Sequence, residues 1–186
     1  MSADVTRTLL HALDFAARRH RDQRRKGALA EPYINHPITV ASLLADAGLG
    51  DDLVLICGAL LHDTVEDTDA TLDDVQGEFG DDVASLVAEV TDEKGLSASE
   101  RRRAQIAQAG TLSRRGRLLK IADKISNLRD LLVKPPTRWT DARKLEYVRW
   151  AYEVWEAIRG ESPMLDALFE DVYADGMATF GSDEDD

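Results

Sequence analysis

Two histidines and two aspartates in this sequence have the types and contexts to hold a metal ion. His62 and Asp63 are adjacent at the end of an apolar run, and His36 stands just before Pro37. Imidazole nitrogen combined with carboxylate oxygen suits Mn, Fe, Zn or Ni better than Ca, which takes oxygen ligands. Asp123 lies inside the stretch Leu118 to Leu132, whose other charged residues are Lys120, Lys124, Arg129 and Asp130. Taken alone, Asp123 is better accounted for by pairing with Lys120, Lys124 or Asn127 along its own helix than by metal ligation. The other histidines, His11 and His20, fall in the first helical segment and read as packed or solvated side chains.

Asp63 is followed closely by Glu66, Asp67 and Asp69. Carboxylates this close repel one another unless a cation sits among them. With Asp63 on a metal, Glu66 and Asp67 are left to orient a water and move its proton, a role for which carboxylate pKa values are readily tuned. A solvated acidic turn at a helix start explains the same run without a metal.

The chain has 186 residues, with 35 Asp and Glu against 23 Lys and Arg, for a net charge of -12. That field opposes nonspecific binding to nucleic acid or to an anionic membrane. The charge is unevenly placed. Gly27 to Glu93 contains sixteen acids and no Lys or Arg, whereas Lys94 to Arg129 contains ten bases and two acids. Six more bases fall between Arg18 and Lys26. The pattern fits a surface of mixed charge with a solvated tail as well as it fits a carboxylate-rich cation site facing basic segments that hold an anion.

Helical periodicity positions these residues. Helices are predicted over about Val5 to Arg21, from Pro37 to about Ala47, and from Leu53 to about Leu61 under an Asp51 cap. Capping boxes at Thr71/Asp74 and Ser97/Glu100 open two more, with Asp81 to Thr91 between them. Arg117 to Leu132, Trp139 to Ile158 and Pro163 to Ala178 complete the set. No segment alternates like a strand, so the expected fold is all-α: one domain over residues 1–180 and an acidic, unstructured tail over 181–186. The aromatic content of the late helix (Trp139, Tyr147, Trp150, Tyr152, Trp155) reads as core packing ahead of an oligomer interface. The single cysteine, Cys57, reads as a small buried hydrophobe. There is no signal-peptide pattern and no apolar run near the ~20 residues that span a bilayer, so a cytoplasmic protein is expected.

The order His, His-Asp, Asp resembles the HD superfamily of metal-dependent phosphohydrolases. The strings YINHP (Tyr33 to Pro37), ALLHDTVEDT (Ala59 to Thr68), EVTDEK (Glu89 to Lys94) and KIADKISNLRDL (Lys120 to Leu131) are similar to the hydrolase domain of RelA/SpoT-type proteins. The length is like that of the stand-alone small alarmone hydrolases related to the animal SpoT homologue. The resemblance implies removal of the 3′-pyrophosphate from guanosine 3′,5′-bis(diphosphate) or its 5′-triphosphate analogue, in the stringent response, with one Mn²⁺ per chain. It implies His36, His62, Asp63 and Asp123 as metal ligands and Glu66 and Asp67 as the catalytic pair. Arg25 and Lys26 would contact the nucleotide, Tyr33 and Asn127 would line its pocket, and Lys94 and Arg129 would meet phosphate. On this reading the partner is a small guanosine polyphosphate, not nucleic acid or membrane, and the oligomeric state is open. The alternatives are an HD phosphohydrolase of other specificity, acting on NADPH at its 2′-phosphate or on a deoxynucleotide, and a non-catalytic regulatory HD domain.

Overall fold

The computed structural model describes residues 3–93 and 95–181. Lys94 and the acidic residues from Ser182 onward lie outside the described residues. The fold is all-α. Among the described residues there are isolated backbone bridges, Arg24 with Pro32 and Gly27 with Pro136, and no strand. Nor is any described helix long and apolar enough to cross a membrane.

The helices are α1 (Ala3–Arg19), α2 (Asn35–Leu44), α3 (Leu53–Leu61), α4 (Thr64–Asp67), α5 (Leu72–Phe79), α6 (Asp81–Val90), α7 (Ala98–Ala109), α8 (Arg114–Val133), α9 (Asp141–Ile158) and α10 (Pro163–Phe180). The long helix α8 is central and packs against α2, α3, α6, α9 and α10. Helix α3 is apolar around most of its circumference, with Leu55 to Leu61 all buried, so it can only sit inside the molecule. Its C-terminal end is where the buried apolar run meets His62. One continuous core joins Ala12 and Ala16 of α1 to Leu165 and Phe169 of α10 through α2, α3, α6, α8 and α9.

Several helix starts differ from the sequence reading. Asp52, not Asp51, caps α3: its carboxylate accepts the Leu55 N–H at 3.1 Å and the Arg115 guanidinium at 2.8 Å. Helix α2 begins at Asn35, so His36 and Pro37 both fall in its first turn, and it gives way after Leu44 to a wide turn, Ala45–Leu49, where Gly48 takes φ 79°. Ser113 accepts the Gly116 N–H and starts α8 at Arg114, a turn early. Thr140 caps α9, which leaves Trp139 outside it. The boxes at Thr71/Asp74 and Ser97/Glu100 are both closed reciprocally. The polar segment after His62 contains the single turn α4, which carries Glu66 and Asp67.

The loop between α1 and α2 is fastened to the end of α8. Lys134 Nζ bonds both oxygens of Glu31 at 2.8 Å, and Gly27 approaches so closely that a Cβ there would lie 2.7 Å from the Lys134 carbonyl oxygen. Only glycine fits that crossing.

Candidate metal centre and adjoining cavity

Three elements deliver the centre: the first turn of α2 brings His36, the end of α3 brings His62 and Asp63, and the middle of α8 brings Asp123. Ligand atoms of His36, His62 and Asp123, all buried, lie within 4.8 Å of one another. His36 Nε2 is 3.1 Å from Asp123 Oδ1 and 3.6 Å from Asp63 Oδ2. His62 Nε2 is 3.0 Å from Asp63 Oδ2 and 3.9 Å from Asp123 Oδ1. Asp63 thus touches both rings from the side, and its Oδ2 also accepts the Tyr33 hydroxyl at 2.7 Å.

The histidines are oriented from behind. His62 Nδ1 is 2.8 Å from the Ala59 carbonyl oxygen. That oxygen can only accept, so Nδ1 carries a proton, and Nε2 is the atom that faces the centre. Among the described residues this buried Nε2 makes no well-aligned hydrogen bond, its near neighbour being the Asp63 carboxylate at 3.0 Å. His36 Nδ1 is likewise engaged, 3.0 Å from Ser126 Oγ. Burial alone disfavours charge on His62, but Asp63 and Asp123 outweigh it and raise its pKa to about 9. Asp63 is pushed up by burial and pulled further down by His62, ending well below the usual carboxylate range. Asp123 is held low in the same way by Lys124, His36 and His62. A buried cluster this dependent on positive charge suits a divalent cation.

Asp123 faces the histidines with one oxygen and pairs along its own helix with both. Its Oδ1 accepts Asn127 Nδ2 at 2.6 Å and faces His36, while Oδ2 lies 3.3 Å from Lys124 Nζ. Lys120 is not a partner; it bonds the Val90 carbonyl at the end of α6. Lys124 is fully buried, also reaches Gln105 Oε1 at 3.1 Å and stands 4.3 Å over the Trp150 ring.

Glu66 and Asp67 are held by different neighbours. Glu66 Oε1 accepts Arg101 Nη1 at 3.0 Å, and Oε2 lies 3.4 Å from the Asp92 backbone N–H. Burial, then Asp92 and Asp63, raises the Glu66 pKa. Asp67 accepts Gln23 Nε2 at 2.8 Å and faces a cavity of about 290 Å³ beside the metal centre.

Arg25, Lys26, Tyr33, Asn127, Trp139 and Tyr147 are among the residues lining that cavity. Arg25 bonds Asp130 through Nε at 3.0 Å and through Nη2 at 2.8 Å, and reaches Asn127 Oδ1 at 2.8 Å. Its guanidinium lies 5.4 Å over the Tyr33 ring. Lys26 is exposed. Arg129 is exposed on α8 and is not brought into the cavity.

The acidic and basic segments do meet, largely as ion pairs. Arg101 pairs with Glu66, Arg115 with Asp52 and Arg19 with Asp69, so much of the basic stretch holds the fold together.

The sequence reading passed over Gln23, Arg101, Gln105 and the cavity role of Trp139 and Tyr147, and gave His20 no role beyond packing or solvation. Only Trp155 of the late aromatics is a core residue throughout, 2% exposed. The available signal was the spacing of His20, Gln23 and Arg25, three polar residues just before the loop.

Residues 12–155 match the family model described as an HD domain. A Mus musculus protein named guanosine-3′,5′-bis(diphosphate) 3′-pyrophosphohydrolase MESH1 is 49% identical over 166 residues, covering 89% of this chain and 92% of its own. The Drosophila melanogaster protein of the same name is 46% identical over 165 residues, covering 88% and 92%. A solved structure, described as a metazoan ortholog of SpoT that hydrolyzes ppGpp and plays a role in starvation responses, superposes with a TM-score of 0.88 at 43% identity, covering 94% of this chain and 96% of the other. With its paired histidines and aspartates, the match over most of its length and full-length relatives of this similarity, the chain belongs to the HD domain family and, within it, to the group of the MESH1 proteins.

Proposed function

We propose that this protein is a metal-dependent hydrolase that removes the 3′-pyrophosphate of guanosine 3′,5′-bis(diphosphate) or its 5′-triphosphate analogue. The products are GDP or GTP and pyrophosphate, and the consequence is a lower alarmone level in the stringent response. The observation that carries this reading is the convergence of His36, His62 and Asp123, flanked by Asp63, beside a cavity lined by Arg25 and Lys26. The names of the MESH1 relatives support it.

HD domains bind divalent metals, and the buried donor set here, His36, His62 and Asp123 with ligand atoms within 4.8 Å of one another, fits one. We assign Mn²⁺, one per chain, held by His36, His62, Asp63 and Asp123. A bound ion supplies Lewis acidity toward a phosphate oxygen and makes a water more acidic.

The remaining work falls to the side chains. Lys26 offers an ammonium to a substrate phosphate, and Arg25 presents a guanidinium fixed by Asp130 and Asn127. Trp139 and Tyr147 provide an aromatic wall for a purine. Asp67, facing the cavity, orients the attacking water and accepts its proton. Water oxygen bonds to the phosphorus next to the ribose, the bond from that phosphorus to the 3′ oxygen breaks, and the 3′ oxygen takes a proton. Glu66, whose pKa burial raises, is suited to hold that proton. Residues 1–180 act as one catalytic unit, and we place the activity in the cytoplasm, where Cys57 stays a buried free thiol.

A substrate panel tests this. With Mn²⁺, kcat/KM for the guanosine tetraphosphate should exceed that for NADPH and for deoxynucleotides, with pyrophosphate as the released product. A preference for either competitor would replace the proposed substrate, and no turnover of any of them would leave a binding domain.

A further inference from the structure

We infer that His20 is a positioning residue for Asp67, acting through the side-chain amide of Gln23. The inference rests on the reading of Asp67 as one of the reacting carboxylates.

His20 follows the last residue of α1 and is 1% exposed, so it cannot touch a ligand in the cavity. Its ring is stacked on Tyr33, with centroids 4.9 Å apart. Its Nδ1 lies 2.6 Å from Gln23 Oε1, and the other end of that amide, Nε2, donates to Asp67 Oδ2 at 2.8 Å. An amide oxygen can only accept, so His20 Nδ1 carries the proton. Burial, the largest influence on His20, lowers its pKa and favours the neutral ring with a single N–H. The other nitrogen, Nε2, is buried with no partner. Among the described residues, the only polar bond fixing the ring is therefore the one to Gln23.

The two bonds hold the amide at both ends. Asp67 can only accept, so it takes the NH₂ group, and the His20 N–H fixes Oε1. Without the tie to His20 the amide is held at one end alone, and its plane can turn about the bond to Asp67 and carry the carboxylate with it. The backbone reinforces the arrangement: the Gln23 N–H bonds the His20 carbonyl at 3.0 Å, and the Tyr33 N–H bonds the Gln23 carbonyl at 3.1 Å. Tyr33 in turn donates its hydroxyl to Asp63. His20 thus lies beneath two donors, one aimed at the metal centre and one at Asp67. Only the second depends on its N–H.

The test compares His20→Phe, which keeps a ring against Tyr33 but removes the donor, with His20→Asn, which returns an N–H near the place of Nδ1. In the Mn²⁺-loaded full chain, His20→Phe should lower kcat by about tenfold with KM changed less than about twofold, and His20→Asn should recover most of the loss. An unchanged kcat in His20→Phe, or an Asn variant as impaired as the Phe variant, would overturn the inference. Gln23→Met removes the same link from the loop and should give the same kcat loss if His20→Phe does not fold; full activity in Gln23→Met counts against the inference.

A second readout is independent of the substrate. The Gln23 side-chain amide protons, followed by ¹⁵N NMR, should exchange slowly in the native chain and in His20→Asn, and rapidly in His20→Phe. Identical exchange in all three overturns the positioning role, whether or not the tetraphosphate is hydrolysed. Failure of the native chain to release pyrophosphate, with the NMR difference intact, would instead overturn the proposed reaction.

Discussion

Lys124 Nζ lies 3.3 Å from Asp123 Oδ2, while the other oxygen of that carboxylate, Oδ1, faces His36 at 3.1 Å. One oxygen is occupied by a buried ammonium and the other is turned to the metal centre. Lys124 also anchors to Gln105 of α7 and to the Trp150 ring of α9, so packing of both helices fixes the position of a ligand on α8. Outer partners of metal ligands are worth about 10- to 100-fold in affinity. Lys124→Met should weaken Mn²⁺ binding by about that factor in a calorimetric titration. Native affinity in the variant would show that Asp123 needs no such support.

Glu66 and Asp67 stand beside the proposed metal ligands without belonging to the buried cluster of His36, His62 and Asp123. Glu66→Gln and Asp67→Asn should each lower kcat by about 10²- to 10⁴-fold, the usual range for general acid–base groups, while leaving Mn²⁺ affinity within a few-fold of native. Loss of metal in either variant would make it a ligand and move the proton chemistry elsewhere.

Arg25 is tied to Asp130 and Asn127 at the cavity wall. Arg25→Met should lower kcat/KM for the guanosine tetraphosphate by about 10- to 100-fold, the equivalent of one charge-assisted contact of about 1.5–3 kcal/mol. The loss should appear chiefly in KM. An unchanged KM with reduced kcat would place Arg25 on the leaving group instead.

Asp52 contributes to stability rather than chemistry. Burial pushes its carboxyl up, but the Arg115 guanidinium and the Leu55 N–H outweigh burial and hold it below the ordinary value of 3.8. A depressed carboxylate stabilises the fold fully above that ordinary value, and the contribution fades as pH falls through the folded-state value. Asp52→Ala should therefore cost about 1 kcal/mol at pH 7, typical of a lost helix cap. The gap between native and variant in urea unfolding should narrow as pH falls below 3.8; a gap that widens in acid would contradict the assignment.

The helical pattern was legible because apolar residues return every three or four positions, as in Leu9, Leu13 and Ala16 of α1. Caps were legible where the reciprocal residue is present, at Thr71 and Ser97, and less so where two aspartates compete, at Asp51 and Asp52. The centre was partly legible: His62 and Asp63 are neighbours in the chain. The contact of His36 with Asp123 joins α2 to α8 and has no trace in local spacing. Arg129 shows the limit of reading a linear string. At 3.6 residues per turn, Asn127 and Asp130 return to the Asp123 side of α8, whereas Arg129 is turned about 120° away. His20 was obscured for another reason: its burial depends on the loop returning Tyr33 over its ring, a contact set by the fold and not by α1.

The most direct test follows pyrophosphate release from guanosine 3′,5′-bis(diphosphate) against the number of Mn²⁺ ions bound per chain, in the native protein and in Asp63→Ala. Activity should rise in proportion to bound metal and level off at one ion per chain. Asp63→Ala should stay folded by circular dichroism but bind little metal and release no pyrophosphate. Release that does not follow the bound metal, or native turnover in Asp63→Ala, would contradict a metal-dependent reaction at this centre.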